Sequence, residues 1–179
     1  MFTKSFNEVM ASEFISLTGG VLAGFLLSFA TDKLYLIPGL FILFPGFMEM
    51  RGNISGSMSA RITSGLYVGA MKSRKQRRHI IDGNAGAAIG LGVALSVMLG
   101  VLAYVVSHFF FGVDSFAIIP VAIIAALLAN VIEIPMTIAA TLWLFKKGHD
   151  PNNIMGPYVT TVGDIVSVLA LLIAIWVVV

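Results

Sequence analysis

Between Phe14 and Val179 the chain runs through five long apolar stretches separated by short polar breaks. That pattern constrains the fold more than anything else in the sequence. Hydrophobic residues make up 58% of the 179 and charged residues only 11%, against about a quarter charged in a soluble domain. Such a chain cannot cover its own surface in water, and a helix bundle in a membrane is the expected fold. About 20 mostly apolar residues are needed to cross roughly 30 Å of hydrocarbon. The expected spans are 14–30, closed by Thr31-Asp32-Lys33; a long segment from Leu34 to about Ala70; 85–111, closed by Gly112-Val113-Asp114; 115–145; and 157–179. This predicts an all-α integral membrane protein with five transmembrane helices, one domain over 1–179 and no cytosolic sensor domain.

Met1 to Glu13 carries Lys4, Glu8 and Glu13 and lacks the basic start, short apolar core and cleavage site of a signal peptide, so the first span is expected to be retained. Five of the eleven basic residues fall in Lys72-Ser-Arg-Lys-Gln-Arg-Arg78, and Lys146-Lys147 lies between the fourth and fifth spans. The positive-inside rule then puts both of these connections and the N-terminus in the cytoplasm and the C-terminus outside, in a multi-pass plasma-membrane topology. As a topology signal the basic run needs no nucleic acid, and contact with anionic lipid headgroups is its by-product. With no cysteine there is no disulfide framework and no thiolate metal site.

The second segment is the unusual one. About 36 residues from Leu34 to Gly69 exceed one straight crossing at about 1.5 Å per residue. Its Pro45–Gly69 portion holds Glu49, Arg51, Asn53, Arg61, several hydroxyls and five glycines. Ionisable groups in hydrocarbon are costly, and interrupted backbone persists there only against protein or a water-filled cavity. The expectation is a half-helix, a break near Gly52-Asn53 and a second helical piece. The fourth segment, with Pro120 and Pro135, is expected to kink or tilt.

Three carboxylates fall at membrane depth: Glu49, Glu133 and Asp164. Thr160, Thr161 and Ser167 share a helix face with Asp164, and Asn130 and Thr137 share one with Glu133. Glu49 reads equally as a cation ligand or as a structural partner of Arg51 or Arg61, and Glu133 is equally open. Asp164 reads as functional, because no basic residue lies near it and its stripe is built of oxygen-bearing side chains. Oxygen ligands suit hard cations, and Mg2+ keeps several waters while using one or two carboxylates. Zinc or copper would recruit His or Cys, and His79, His108 and His149 sit at expected span ends. The pairs Gly20/Gly24, Gly52/Gly56, Gly65/Gly69 and Gly86/Gly90 have the spacing of close helix packing, a weak signal in a glycine-rich membrane chain. No nucleophile-base pair or phosphate-cradling loop appears, so an enzyme is not expected.

The run Pro45-Gly-Phe-Met-Glu-Met-Arg-Gly-Asn-Ile-Ser-Gly56 resembles the second-helix motif of MgtE-type divalent cation transporters. Asp150-Pro-Asn-Asn-Ile-Met-Gly-Pro-Tyr-Val-Thr-Thr-Val-Gly-Asp164 resembles the fifth-helix motif that ends in the family's cation-binding aspartate. The chain is more similar to the archaeal and eukaryotic solute-carrier branch than to bacterial MgtE. The resemblance implies Mg2+ transport through a site between helices two and five of a homodimer in parallel orientation. Asp164 carries over as the principal ligand, with Gly52, Asn53 and Gly56 beside the pore and Thr160 and Thr161 nearby. Glu49 and Glu133 are further metal candidates, available to Na+ or H+ as a coupling ion. Bacterial MgtE has Gly-Gly-Asn where this chain has Arg51-Gly52-Asn53, and it carries a large cytosolic sensor, for which no segment is expected here. The rival readings are a non-transporting membrane subunit whose polar residues only join helices, and a transporter of calcium or manganese.

Overall fold

A computed structural model describes residues 2–29, 31–37 and 39–179. The described residues form six helices: α1 (Phe2–Ser28), α2 (Thr31–Leu36), α3 (Gly39–Tyr67), α4 (Arg74–Phe111), α5 (Ile118–Lys146) and α6 (Pro151–Val178). Among them α1, α4, α5 and α6 are long and apolar enough to cross a membrane. At 29 residues α3 also has the length to cross, about 43 Å at about 1.5 Å per residue, but it carries Glu49, Arg51 and Arg61.

Several boundaries differ from expectation. α3 runs unbroken through Gly52-Asn53, so the expected break is not there. The long second segment is interrupted earlier, where α2 ends at Leu36 and α3 begins at Gly39. Ile37 precedes Pro38 in the sequence, and a residue before proline is disfavoured in the helical region. A single glycine inside a helix costs only about 1 kcal/mol relative to alanine, and the rest of α3 carries the helix through it. The basic run is not a loop either. Arg74 to Arg78 form the first turn of α4, started by a capping box in which Ser73 Oγ accepts from Gln76 N at 3.2 Å and Gln76 Oε1 from Ser73 N at 3.1 Å. α1 begins twelve residues before the expected Phe14, and the expected end of that span at Ala30 lies outside the described residues. α6 starts at Pro151, capped by Asp150, whose carboxylate accepts from Asn152 N at 2.9 Å. Pro120 falls in the first turn of α5, where a missing N–H costs no helical bond.

Short connections join α3 to α4, α4 to α5 and α5 to α6, and each of these pairs also packs together. α3 packs on α4, α5 and α6, while α1 lies against α6. The main core collects Leu40, Leu43 and Phe47 of α3, the alanine face Ala122, Ala125, Ala126 and Ala129 of α5, and Leu171 and Ala174 of α6. Small side chains on α5 let three neighbours approach it, which is how helices cohere where lipid is as apolar as leucine. Gly100 of α4 lies so close that an added Cβ would stand 3.0 Å from the Ile119 Cα. The spaced pairs Gly20/Gly24 and Gly86/Gly90, by contrast, meet nothing within 4 Å inside the chain.

Pro157 lies inside α6 and cannot donate to the carbonyl of Asn153. The Ser12 hydroxyl of α1, shared with its own Val9 O at 2.9 Å, reaches that carbonyl at 3.2 Å, so the proline leaves free an acceptor against which α1 docks. Nearby, Glu8 Oε1 pairs with His149 Nδ1 at 2.8 Å, and Lys4 Nζ donates to Gly148 O at 2.9 Å. Tyr67 packs edge-on against Phe145. These contacts gather the N-terminus, the α3–α4 connection and the α5–α6 connection at one end of the bundle. The basic residues expected to share a side therefore lie together.

Candidate cation site

A groove of about 740 Å³ separates α3 from α6. Its α3 wall is built from Pro45, Met48, Glu49, Gly52, Asn53, Gly56 and Ser57, and its α6 wall from Gly156, Val159, Thr160 and Asp164. Both walls follow helical spacing: 45, 49, 53 and 57 form one line of α3, and 156, 160 and 164 one line of α6. Gly52 and Gly156 leave the groove wide, since a Cβ at either would meet nothing within 4 Å. At Gly56 a Cβ would touch Val159 Cγ2 at 3.8 Å.

Inside the groove the donors are oxygen atoms. Asn53 Nδ2 donates to Glu49 Oε1 at 3.0 Å, leaving the amide oxygen free of that bond. Thr160 Oγ1 donates to Gly156 O at 3.1 Å, which fixes the hydroxyl and keeps its lone pairs available. Asp164 and Glu49 bring two carboxylates to one cavity. No group of three His, Asp or Glu side chains fit to hold a metal forms among the described residues. Two carboxylates with amide and hydroxyl oxygens match a hard cation that keeps part of its water shell. Six waters at about 30 Å³ each fill about 180 Å³, so the groove admits a fully hydrated ion.

Six of the eight residues singled out in the sequence line this groove: Asp164, Thr160, Asn53, Gly52, Gly56 and Glu49. Thr161 does not. It faces α1, where its side chain occupies the space beside Gly19 and its hydroxyl donates to Pro157 O at 2.9 Å. Glu133 lies behind the groove, and its surroundings answer what Arg51 does. Arg51 is wholly buried and donates through Nε at 3.0 Å and Nη2 at 2.7 Å to Glu133 Oε2. Its Nη1 donates to Asn130 Oδ1, and Ser55 Oγ donates to the same carboxylate oxygen at 3.3 Å. The pair expected for Glu49 does not form with either arginine: Arg51 turns to Glu133, and Arg61 donates to Asn84 Oδ1 at 2.7 Å. Sequence reasoning missed this pairing. Its one local signal is that Arg51 and Ser55 are four apart and their partners Asn130 and Glu133 three apart, so each pair shares a helix face.

A second groove, of about 470 Å³, lies between α3 and α4 and shares Glu49, Asn53 and Ser57 with the first. Glu49, Asn53, Ser57 and Arg61 therefore form an exposed polar line along α3, between two grooves.

The profile of the MgtE family, described as a divalent cation transporter, matches residues 44–174. Solute carrier family 41 member 2 of Gallus gallus is 24% identical over 163 residues, covering 86% of this chain and 28% of the relative. Solute carrier family 41 member 3 of Mus musculus is 29% identical over 150 residues, covering 76% of this chain and 29% of the relative. The human member 2 is 21% identical over 136 residues, covering 74% and 24%. The chain thus spans between a quarter and three tenths of the length of the curated relatives it matches. No solved structure matches it significantly.

Proposed function

The chain belongs to the MgtE family of divalent cation transporters, and on that premise we propose that it moves Mg2+ across the plasma membrane through the groove between α3 and α6. The observation that carries the reading is the meeting of Asp164 with Glu49, Asn53 and the glycine-widened wall of α3 around one cavity. Asp164 and Glu49 attract the ion, and the Asn53 amide oxygen and Thr160 hydroxyl hold its waters. Binding through water is loose enough to let a partly hydrated ion leave again.

The proposed assembly is a parallel homodimer. Glu49, Asn53, Ser57 and Arg61 are exposed on α3, and lipid does not cover such a line without large cost. A second copy related by a two-fold axis would bring its own groove alongside and double the acidic residues facing the ion. Collection of the N-terminus and both basic connections at one end supports one orientation for both copies, with that end in the cytoplasm. Na+ or H+ serves as the coupling ion if transport is exchange, with Glu49 as the carboxylate free to meet it.

Purified protein reconstituted in liposomes loaded with a Mg2+-sensitive dye tests the reading. Saturable Mg2+ entry is expected, with Ca2+ and Mn2+ competing weakly, and a Na+ or pH gradient that alters the rate identifies the coupling ion. No Mg2+ entry above empty liposomes would instead favour a non-transporting subunit, and faster Ca2+ or Mn2+ entry would reassign the cargo.

A further inference from the structure

The reading of the groove gives no task to its most deeply buried charges. Arg51 has 0% and Glu133 2% of its side chain exposed, in the middle of helices that cross the membrane. A buried ion pair adds little net stability compared with apolar residues of the same volume, so its placement calls for another explanation.

The pair sits behind the groove, where α3 and α6 both pack against α5. Arg51 immediately precedes Gly52 and Asn53, and points away from the groove into the bundle. One oxygen of Glu133 receives both Nε and Nη2 of Arg51, which fixes the rotation and depth of α3. The other oxygen, Oε1, is buried without a hydrogen-bond partner among the described residues. It lies 4.0 Å from where a Cβ on Gly163 would stand, and the next residue of α6 is Asp164. A single carboxylate thus grips α3 on one side and faces Gly163 of α6 on the other, across a space that a methyl group would fill. α4 closes the arrangement from behind: a Cβ on Gly92 would lie 3.0 Å from the Asn130 amide nitrogen and 3.3 Å from Arg51 Nη1. On the α4 side the pair has no room to shift.

We infer that the Arg51–Glu133 pair is a positioning element that sets the separation of Asn53 and Asp164 across the groove, and so tunes which divalent cation the groove prefers, without either residue touching the ion. The inference rests on the groove being the cation path. Because the two charges cancel, the groove's own acidic residues keep control of the field that the ion meets. A shift of about 1–2 Å between packed helices is the scale on which such elements act, and it exceeds the roughly 0.2–0.6 Å by which ligand distances to Mg2+ and Ca2+ differ.

The chain has no cysteine, so Ser57→Cys on α3 and Gly156→Cys on α6 can carry spin labels that read the groove width, with labelled protein diluted in unlabelled protein. Arg51→Met, Arg51→Lys and Glu133→Gln are compared in this background. The apolar double variant Arg51→Met with Glu133→Leu is included, because it leaves no unpaired charge and folds where a single variant fails. The unsubstituted pair should give a narrow distance distribution, and loss of the pair should shift or broaden it by about 2 Å. In liposomes the half-saturating Mg2+ concentration should rise about tenfold, less than the roughly hundredfold that a misplacement of about 1 Å can cost. Preference over Ca2+ and Mn2+ should shrink, while the maximal rate per folded protein changes less. An unchanged distance distribution in the folded variants overturns the inference whatever the flux does. So does a changed distance with unaltered half-saturation and selectivity. Tighter Mg2+ binding in Arg51→Met with loss of binding in Glu133→Gln would make Glu133 a ligand and overturn it too. Absence of Mg2+ flux in the unsubstituted protein counts against the transport reading, and the distance measurement still decides this one.

Discussion

Removing one member of the buried pair should be far more damaging than removing both. In Arg51→Met the Glu133 carboxylate keeps its burial but loses the two guanidinium donors at 3.0 and 2.7 Å, retaining only Ser55 Oγ at 3.3 Å. Breaking a buried pair in this way costs about 3–5 kcal/mol, because the surviving charge is left without its partner. Replacing both with apolar residues removes the charge altogether and keeps most of the volume. What remains is Asn130, whose Oδ1 loses Arg51 and whose Nδ2 has no partner among the described residues, a cost of about 1–3 kcal/mol. Since exchange of a buried pair for apolar residues is itself often neutral or stabilising by about 1–4 kcal/mol, Arg51→Met with Glu133→Leu should end within about 2 kcal/mol of the parent. Unfolding by a denaturing detergent in mixed micelles, followed by far-ultraviolet circular dichroism, measures all four corners of the cycle. Singles that each cost under about 1 kcal/mol, or a double variant that costs the sum of the singles, would refute the picture of a dry, coupled pair.

Four smaller perturbations follow from the same packing. Gly92→Ala should destabilise the bundle by about 1–3 kcal/mol in that unfolding assay, because the new Cβ meets Asn130 at 3.0 and 3.1 Å and neither Asn130 nor Arg51 is free to withdraw. Gly52→Ala, whose Cβ would meet nothing within 4 Å, should leave stability unchanged. Gly56→Ala should fold normally, since Val159 Cγ2 at 3.8 Å is an ordinary contact, but the added methyl enters the groove and should slow Mg2+ entry into liposomes. Ser12→Ala removes the donor to the carbonyl that Pro157 leaves free, and should loosen α1 by about 1 kcal/mol, seen as faster amide exchange in α1 with α3 and α5 unaffected.

What the sequence disclosed was what is local. The apolar runs located the long helices, because burial in lipid leaves a composition signal over about 20 residues. Of the face expected around Asp164, Thr160 does line the groove, opposite Glu49, Gly52, Asn53 and Gly56 of the second segment. Helix ends were less readable. The first turn of α4 is so rich in charge that it looked like a loop, and only the Ser73/Gln76 spacing hints at a cap. The polar, glycine-rich load around Gly52-Asn53 suggested an interrupted backbone, but an unbroken helix carries it by facing a groove. The partner of Arg51 was hidden for a different reason. Glu133 is 82 residues away, and which of three carboxylates receives an arginine depends on how α3 rotates against α5, a property of the packing of four helices together. Thr161 shows the same limit on a smaller scale. It adjoins Thr160 in sequence, yet one residue of helix turns it about 100° towards α1.

The central claim is that Asp164 meets the ion in the groove between α3 and α6. Mg2+ entry into liposomes tests it most directly when Asp164→Asn is compared with the parent at matched amounts of folded protein. The substitution keeps the shape of the side chain and removes its charge. Loss of an outer-shell partner alone typically costs about 10–100-fold in metal affinity, so loss of the carboxylate itself should reduce flux at low Mg2+ by at least about tenfold. Flux and half-saturation equal to those of the parent would contradict the account.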